Sequence, residues 1–191
     1  TQVELMRKHP DINISFHPSY KVDGHELKKF EIFSKHGTEI KIFTPEEVIL
    51  GGGSFMPTAS VIVKSNVLKN LPEWFGSAPV GDYFIQIISS MPIGALYQGK
   101  VMGCYRSFSY GSWSSQEKKI DNVKQKVLLD AMIYCLHNLK IKAPERFERV
   151  YKKVIVREVA NRIPYLQWRD RQRYLKLIFK YRNSLSIKEN I

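Results

Sequence analysis

A chain of 191 residues, 43% hydrophobic and 25% charged, has the balance of a folded domain rather than of a disordered segment. No run approaches the roughly 18 apolar residues needed to cross a bilayer, and TQVELMRKHP has no apolar signal-peptide core. The net charge of +12 is uneven: residues 1–117 hold 11 basic against 11 acidic side chains, whereas residues 118–191 hold 19 against 7. Such asymmetry points to a nucleic-acid or anionic-membrane surface, with a solvated basic helical face as the plain alternative.

Taken in chain order, residues 2–8 read as the last turns of a helix closed by His9-Pro10, so polypeptide is expected ahead of Thr1. INISFH (12–17), with apolar Ile12, Ile14 and Phe16, predicts a strand, and LKKFEIFS predicts a second after the Asp23-Gly24 turn. Thr44-Pro45-Glu46-Glu47 predicts a capped helix start, stopped soon after by Gly51-Gly52-Gly53. ASVIVK (59–64) reads as a buried strand, 65–70 as a helix, DYFIQIISSM (82–91) as a mostly buried helix, and 95–105 as a strand interrupted at Gly99. SFSYGSWSS (107–115) reads as a loop. Beyond it Ile120, Val123, Val127, Ala131, Tyr134 and Cys135 recur at helical spacing, and further helices follow Pro144 and Pro164. The expected plan is α/β: a small mixed α/β part over 1–116 and a basic, mainly helical region over 117–191.

The chemistry concentrates between Ile49 and Tyr83. Three successive glycines let the backbone approach a ligand or a neighbouring strand closely. A strand and a helix then lead to Pro79-Val80-Gly81-Asp82, which places a carboxylate at a helix start, where the helix dipole favours it. On local sequence alone, Asp82 reads as a helix cap.

GGGSFMPTASVIVKSNVLKNLPEWF, PVGDY and VMGCYRSFSYGSW, in this order, resemble the second half of bacterial family 2 glycosyltransferases, and QVELMRKHPDINISFH is similar to the segment after their metal-binding strand. The resemblance covers about residues 1–116 and implies part of a GT-A fold. It implies inverting sugar transfer from a nucleotide-sugar donor to a saccharide or lipid-linked acceptor in surface-polysaccharide assembly. Asp82 would be the base, a role compatible with capping. Gly52, Gly53, Met56, Thr58, Ser60, Gly81 and Tyr83 would form the acceptor site. Arg106 would meet phosphate oxygens. Trp113 would stack on a sugar ring or simply pack its loop. The family's loop histidine falls on Phe108, so a contact from that position is not implied. The family's divalent Mg or Mn ion sits on an Asp-x-Asp, which this sequence lacks. The ion's ligands and the nucleotide site are therefore expected upstream of Thr1, and the chain alone is expected not to transfer sugar.

The five histidines show no paired zinc spacing, and His17, just after a strand, reads as a surface or packing residue, with a place at the border of the site as the alternative. Trp74 and Phe75 read as core. Cys104 and Cys135 sit in apolar runs and read as buried free thiols, in keeping with a reducing compartment. In YLQWRDRQRYLKLIFKYR (165–182), Tyr174, Leu177, Ile178 and Tyr181 share one helical face. Trp168, Leu175 and Phe179 widen the stripe among six basic residues. That pattern suits an anionic bilayer surface, and the lipid-carried acceptors that the resemblance implies give it a purpose; the expected location is the cytoplasm, free or peripheral at the inner face of the membrane. A helix packed on its own domain or on a second subunit fits equally. A nucleic-acid-binding module is the rival reading, disfavoured because no nucleic-acid motif is present.

Overall fold

The computed structural model describes residues 1–24, 28–107, 109, 121–142 and 147–182. The chain is α/β, with mixed sheets and helices followed by a helical C-terminal region. It divides into two compact units, Thr1–Pro72 with Val80–Lys119, and Glu73–Pro79 with Ile120–Ile191.

In the first unit, α1 (Gln2–Lys8) is closed at its start by a capping box between Thr1 and Glu4. Strands β1 (Ile14–Phe16) and β3 (Lys29–Phe33) lie where the sequence predicts them. The hairpin partner β2 (Ser19–Asp23) and the three-residue β4 (Lys41–Phe43) carry no strong apolar alternation and are not predicted. Helix α2 (Pro45–Gly51) starts at the predicted Thr44 cap, with Glu47 returning the bond to the Thr44 amide. The predicted strand over 59–64 is mostly a 3₁₀ turn, Thr58–Ser60, leaving only β5 (Ile62–Val63). Helices α3 (Ser65–Lys69) and α4 (Gly81–Ser90) follow.

The single strand expected over 95–105 is two, β6 (Ala95–Tyr97) and β7 (Gly103–Ser107), and they belong to different sheets. Gly99 lies between them against the Thr38 backbone, so close that a Cβ would stand 2.2 Å from the Thr38 carbonyl oxygen. One sheet runs β4-β6-β1-β5, with β1 and β6 parallel and both edges antiparallel. The other runs β3-β2-β7, with β2 antiparallel to β3 and parallel to β7.

Ile14, Phe16, Phe43, Val48, Met56, Ala95 and Tyr97 form the buried core of the first sheet. The Phe16, Phe43, Phe55 and Tyr97 rings gather around His36, whose Nε2 donates to the Phe55 carbonyl at 2.9 Å. Tyr97 accepts from the His36 amide and donates to the Gly37 carbonyl, so its hydroxyl is satisfied inside the fold. Cys104 departs from expectation: it is exposed, because β7 is an edge strand and alternation turns Cys104 and Arg106 outward together.

The second unit contains α5 (Asn122–Lys142), α6 (Glu148–Arg162) and α7 (Trp168–Arg182). Helix α6 packs against both α5 and α7. Its core includes Leu129, Met132, Cys135, Leu136, Val154, Ile155, Val159 and Tyr174. The expected apolar face of α5 is only partly the buried one: Cys135 is inside, whereas Val123, Val127 and Tyr134 are exposed. Although it lies within residues 1–116, the 3₁₀ turn Glu73–Ser77 packs on α5, with Trp74 and Phe75 half-buried rather than in a core. No helix among the described residues is long and apolar enough to cross a membrane.

Burial pushes the Cys135 thiol up to about 11 from its ordinary value of 9.0. Its contribution to stability is therefore whole below pH 9 and is lost as pH rises from 9 toward 11, because the unfolded thiol ionises first. The expected decline attributable to this group is roughly 2–3 kcal/mol. Urea titrations at pH 8 and pH 11 measure it. Cys135→Ala is less stable at pH 8 but should lose less stability over the same interval. An equal decline in both proteins would contradict the assignment.

Candidate active site

The residues singled out around Asp82 converge in the first unit. Gly52 caps the C-terminus of α2 and takes φ 72°, a conformation that glycine adopts without a Cβ penalty. The Phe55 ring folds back onto Gly51, where a Cβ would lie 2.2 Å from it, and the Phe55 amide donates to the Gly52 carbonyl. These contacts turn the chain tightly and leave Gly53 exposed, where an added Cβ would stand 3.7 Å from Val80 and Tyr83 at the start of α4.

Met56, Ser60 and Tyr83 lie beneath this surface. Met56 is in the core, and its carbonyl accepts from Gln86 Nε2 at 3.4 Å. Ser60 Oγ donates to the Pro57 carbonyl at 2.9 Å and accepts from the His17 amide. The Ser60 carbonyl accepts from Gln2. Tyr83 is buried, and its hydroxyl donates to the Ile49 carbonyl at 2.6 Å, tying α4 to α2. These three side chains are buried. His17 is likewise a packing residue, buried with Nδ1 donating to the Pro18 carbonyl at 2.8 Å.

Above them, Thr58 is exposed and Asp82 half-exposed. Helix α4 is capped at Val80 without a side-chain bond, so Gly81 is its first residue and Asp82 its second. Asp82 is therefore not the cap residue. Its Oδ1 accepts from the Tyr83 amide at 2.9 Å, and its Oδ2 accepts from Thr58 Oγ1 at 2.7 Å. Each carboxylate oxygen retains further acceptor capacity. The result is an oriented carboxylate at the positive end of a helix, still open to solvent on one side. The bond to Thr58 spans 24 residues and has no signature in local sequence.

Arg106 is exposed on β7, in register with Val22 of β2, and β7 runs beside the Thr58–Ser60 turn. Trp113 and Phe108 lie outside the described residues. Among the described residues, no group of three His, Cys, Asp or Glu side chains could hold a metal ion, so none is assigned to one.

The helical unit has polar chemistry of its own that the sequence reading passed over. A cavity of about 590 Å³ opens between α5 and α7. On one side Asp130 Oδ1 accepts from the buried Tyr174 hydroxyl at 2.7 Å, and His137 Nε2 lies 2.8 Å from the Tyr181 hydroxyl. Arg173, Lys176 and Lys180 line the other. Burial, with the Asp130 carboxylate beside it, holds the Tyr174 hydroxyl above its usual range. Asp130, Tyr134 and His137 recur at i, i+4 and i+7, a spacing that would have marked one face of α5.

No family model matches the chain, and neither a curated protein nor a solved structure matches it.

Proposed function

We propose that residues 1–116 form the acceptor-side portion of a GT-A-type inverting glycosyltransferase, with Asp82 as its base. The reaction would transfer a sugar from a nucleotide donor to a saccharide or lipid-linked acceptor, in bacterial surface-polysaccharide assembly. The observation that carries the reading is the Asp82 carboxylate, oriented by Thr58 and the Tyr83 amide yet open to solvent.

An acceptor hydroxyl is too weak an acid to ionise near neutral pH, so its proton must leave as the new bond forms. A carboxylate within hydrogen-bond reach accepts that proton while the acceptor oxygen attacks the anomeric carbon. The bond from that carbon to the nucleoside diphosphate breaks, and the diphosphate leaves with the electron pair. The bonds to Thr58 and Tyr83 fix which lone pairs remain for the acceptor, which is the positioning such a step requires. Exposed Gly53 leaves its backbone open to the approach of a saccharide ring. Arg106 supplies positive charge on the neighbouring strand for a phosphate oxygen. No Asp-x-Asp is present, so no residue of this chain is assigned to a divalent ion or to the nucleotide.

The test is transfer by the complete gene product from labelled nucleotide sugars, with the anomeric configuration of the product read by NMR. Inverted product supports the proposal; retained configuration, or no transfer from any nucleotide sugar, overturns it. Thr58→Val should lower kcat about tenfold by releasing the carboxylate, and Thr58→Ser, which keeps the hydroxyl, should restore most of it. Equal rates in the two variants would remove Thr58 from the account.

A further inference from the structure

Helix α7 has two apolar sides. Tyr174 is buried and Leu177, Ile178 and Tyr181 are partly so, which accounts for its inner face. Trp168, Leu175 and Phe179 lie on the opposite side, 70%, 38% and 60% exposed. Their spacing of i, i+7 and i+11 aligns them in one stripe along the helix. Exposed Arg169, Lys176, Lys180 and Arg182 flank it. Lys176 and Lys180 also line the cavity shared with α5, whose exposed stripe of Val123 (63%), Val127 (61%) and Tyr134 (50%) borders the same cavity through Tyr134.

We propose that this face of the helical unit docks on an anionic lipid bilayer, with Trp168, Leu175 and Phe179 entering the acyl boundary and Lys176 and Lys180 meeting headgroup phosphates. A bilayer interface is the partner that takes both parts of the pattern at once. Large apolar side chains sink a few ångströms into it while Lys and Arg stems reach back to the phosphates. A second copy would bring like charges together, because residues 118–191 carry 19 basic against 7 acidic side chains. A nucleic acid would neutralise the cations and stack its bases on Trp168 and Phe179, but would leave the exposed aliphatic Leu175, Val123 and Val127 without a partner. The docking stands apart from the sugar-transfer reading and does not depend on it.

The experiment is co-sedimentation of the full chain with phosphatidylcholine vesicles, with and without phosphatidylglycerol, at low and high salt. The chain should bind the anionic vesicles at low salt, with a blue shift of tryptophan emission that Trp168→Phe removes while Trp74 and Trp113 remain, and bind pure phosphatidylcholine weakly. Trp168→Ala with Phe179→Ala, and separately Lys176→Gln with Lys180→Gln, should each weaken binding roughly tenfold or more. All four residues are exposed, and circular dichroism checks that the variants stay folded. Absence of binding to anionic vesicles at low salt overturns the proposal, as does equal binding by wild type and the aromatic variant. A concentration-dependent dimer abolished by Trp168→Ala with Phe179→Ala, without vesicle binding, assigns the face to a second copy instead. Binding to single-stranded RNA without vesicle binding assigns it to nucleic acid.

Discussion

If Asp82 is the base proposed above, Asp82→Asn should lower kcat for sugar transfer by about 10²–10⁴-fold and leave the fold standing. The amide is isosteric with the carboxylate. Its oxygen still accepts from the Tyr83 amide, and its nitrogen can donate to Thr58 Oγ1, so both contacts at the start of α4 survive in altered polarity. What the amide cannot do is take up a proton from an acceptor hydroxyl. Because the side chain is half-exposed and leaves no cavity, the change in unfolding free energy should stay within about 1 kcal/mol. Initial rates and a urea titration on the same preparation separate the two effects. Near-normal turnover would refute the base assignment. A large loss of stability with proportional loss of rate would make Asp82 a structural residue.

Gly94→Ala should be among the most damaging single changes to the first unit, costing about 3–5 kcal/mol. Gly94 takes φ 140°, where L side chains are strained, and it precedes β6. A Cβ there would lie 2.2 Å from the Phe43 carbonyl oxygen and 2.9 Å from Ile42 Cγ2. Those are backbone and side-chain atoms of β4, which pairs with β6 from Phe43–Ala95 to Lys41–Tyr97. The edge strand must shift, and Phe43 and Tyr97 belong to the buried core. Gly37→Ala is the control: its φ of 121° is also strained, but nothing lies within 4 Å of a Cβ there. It should cost only the conformational strain, about 1–3 kcal/mol. Urea unfolding of both variants measures the difference, and equal losses would show that the approach of β4 is not what requires Gly94.

How far the sequence foretells this structure depends on how local the deciding contact is. The Thr44–Glu47 cap was legible because both partners sit within one turn, and Gly51-Gly52-Gly53 stopped α2 as glycines do. Helices α5, α6 and α7 were legible from periodicity and their prolines. β2 and β4 were not, because SYKVD and KIF have little alternation and are held by pairing with distant strands. The strand expected over 59–64 lost its first half when Ser60 turned back to the Pro57 carbonyl, a side-chain bond that propensity does not register. On α5 the apolar spacing through Val123, Val127 and Tyr134 was real, but a helix with apolar residues on several sides does not declare which side is buried.

The candidate site shows the same limit. Asp82, Thr58 and Gly53 could be named from the sequence, but only through a resemblance, and the bond that joins Thr58 to Asp82 appears only in three dimensions. Met56, Ser60 and Tyr83 belonged to the same sequence pattern, yet their side chains are buried. Pattern cannot separate a residue that touches a ligand from one that supports the residue that does.

The most direct measurement of the central claim is an amide NMR titration of the chain with oligosaccharide acceptors. If the Asp82 carboxylate faces a saccharide site, the amide signals of Gly53, Thr58, Asp82 and Tyr83 should shift together and saturably with at least one acceptor, and Asp82→Asn should keep the binding. If every saccharide leaves those four signals in place, or moves only residues of α5 and α7, the site is not where an acceptor binds.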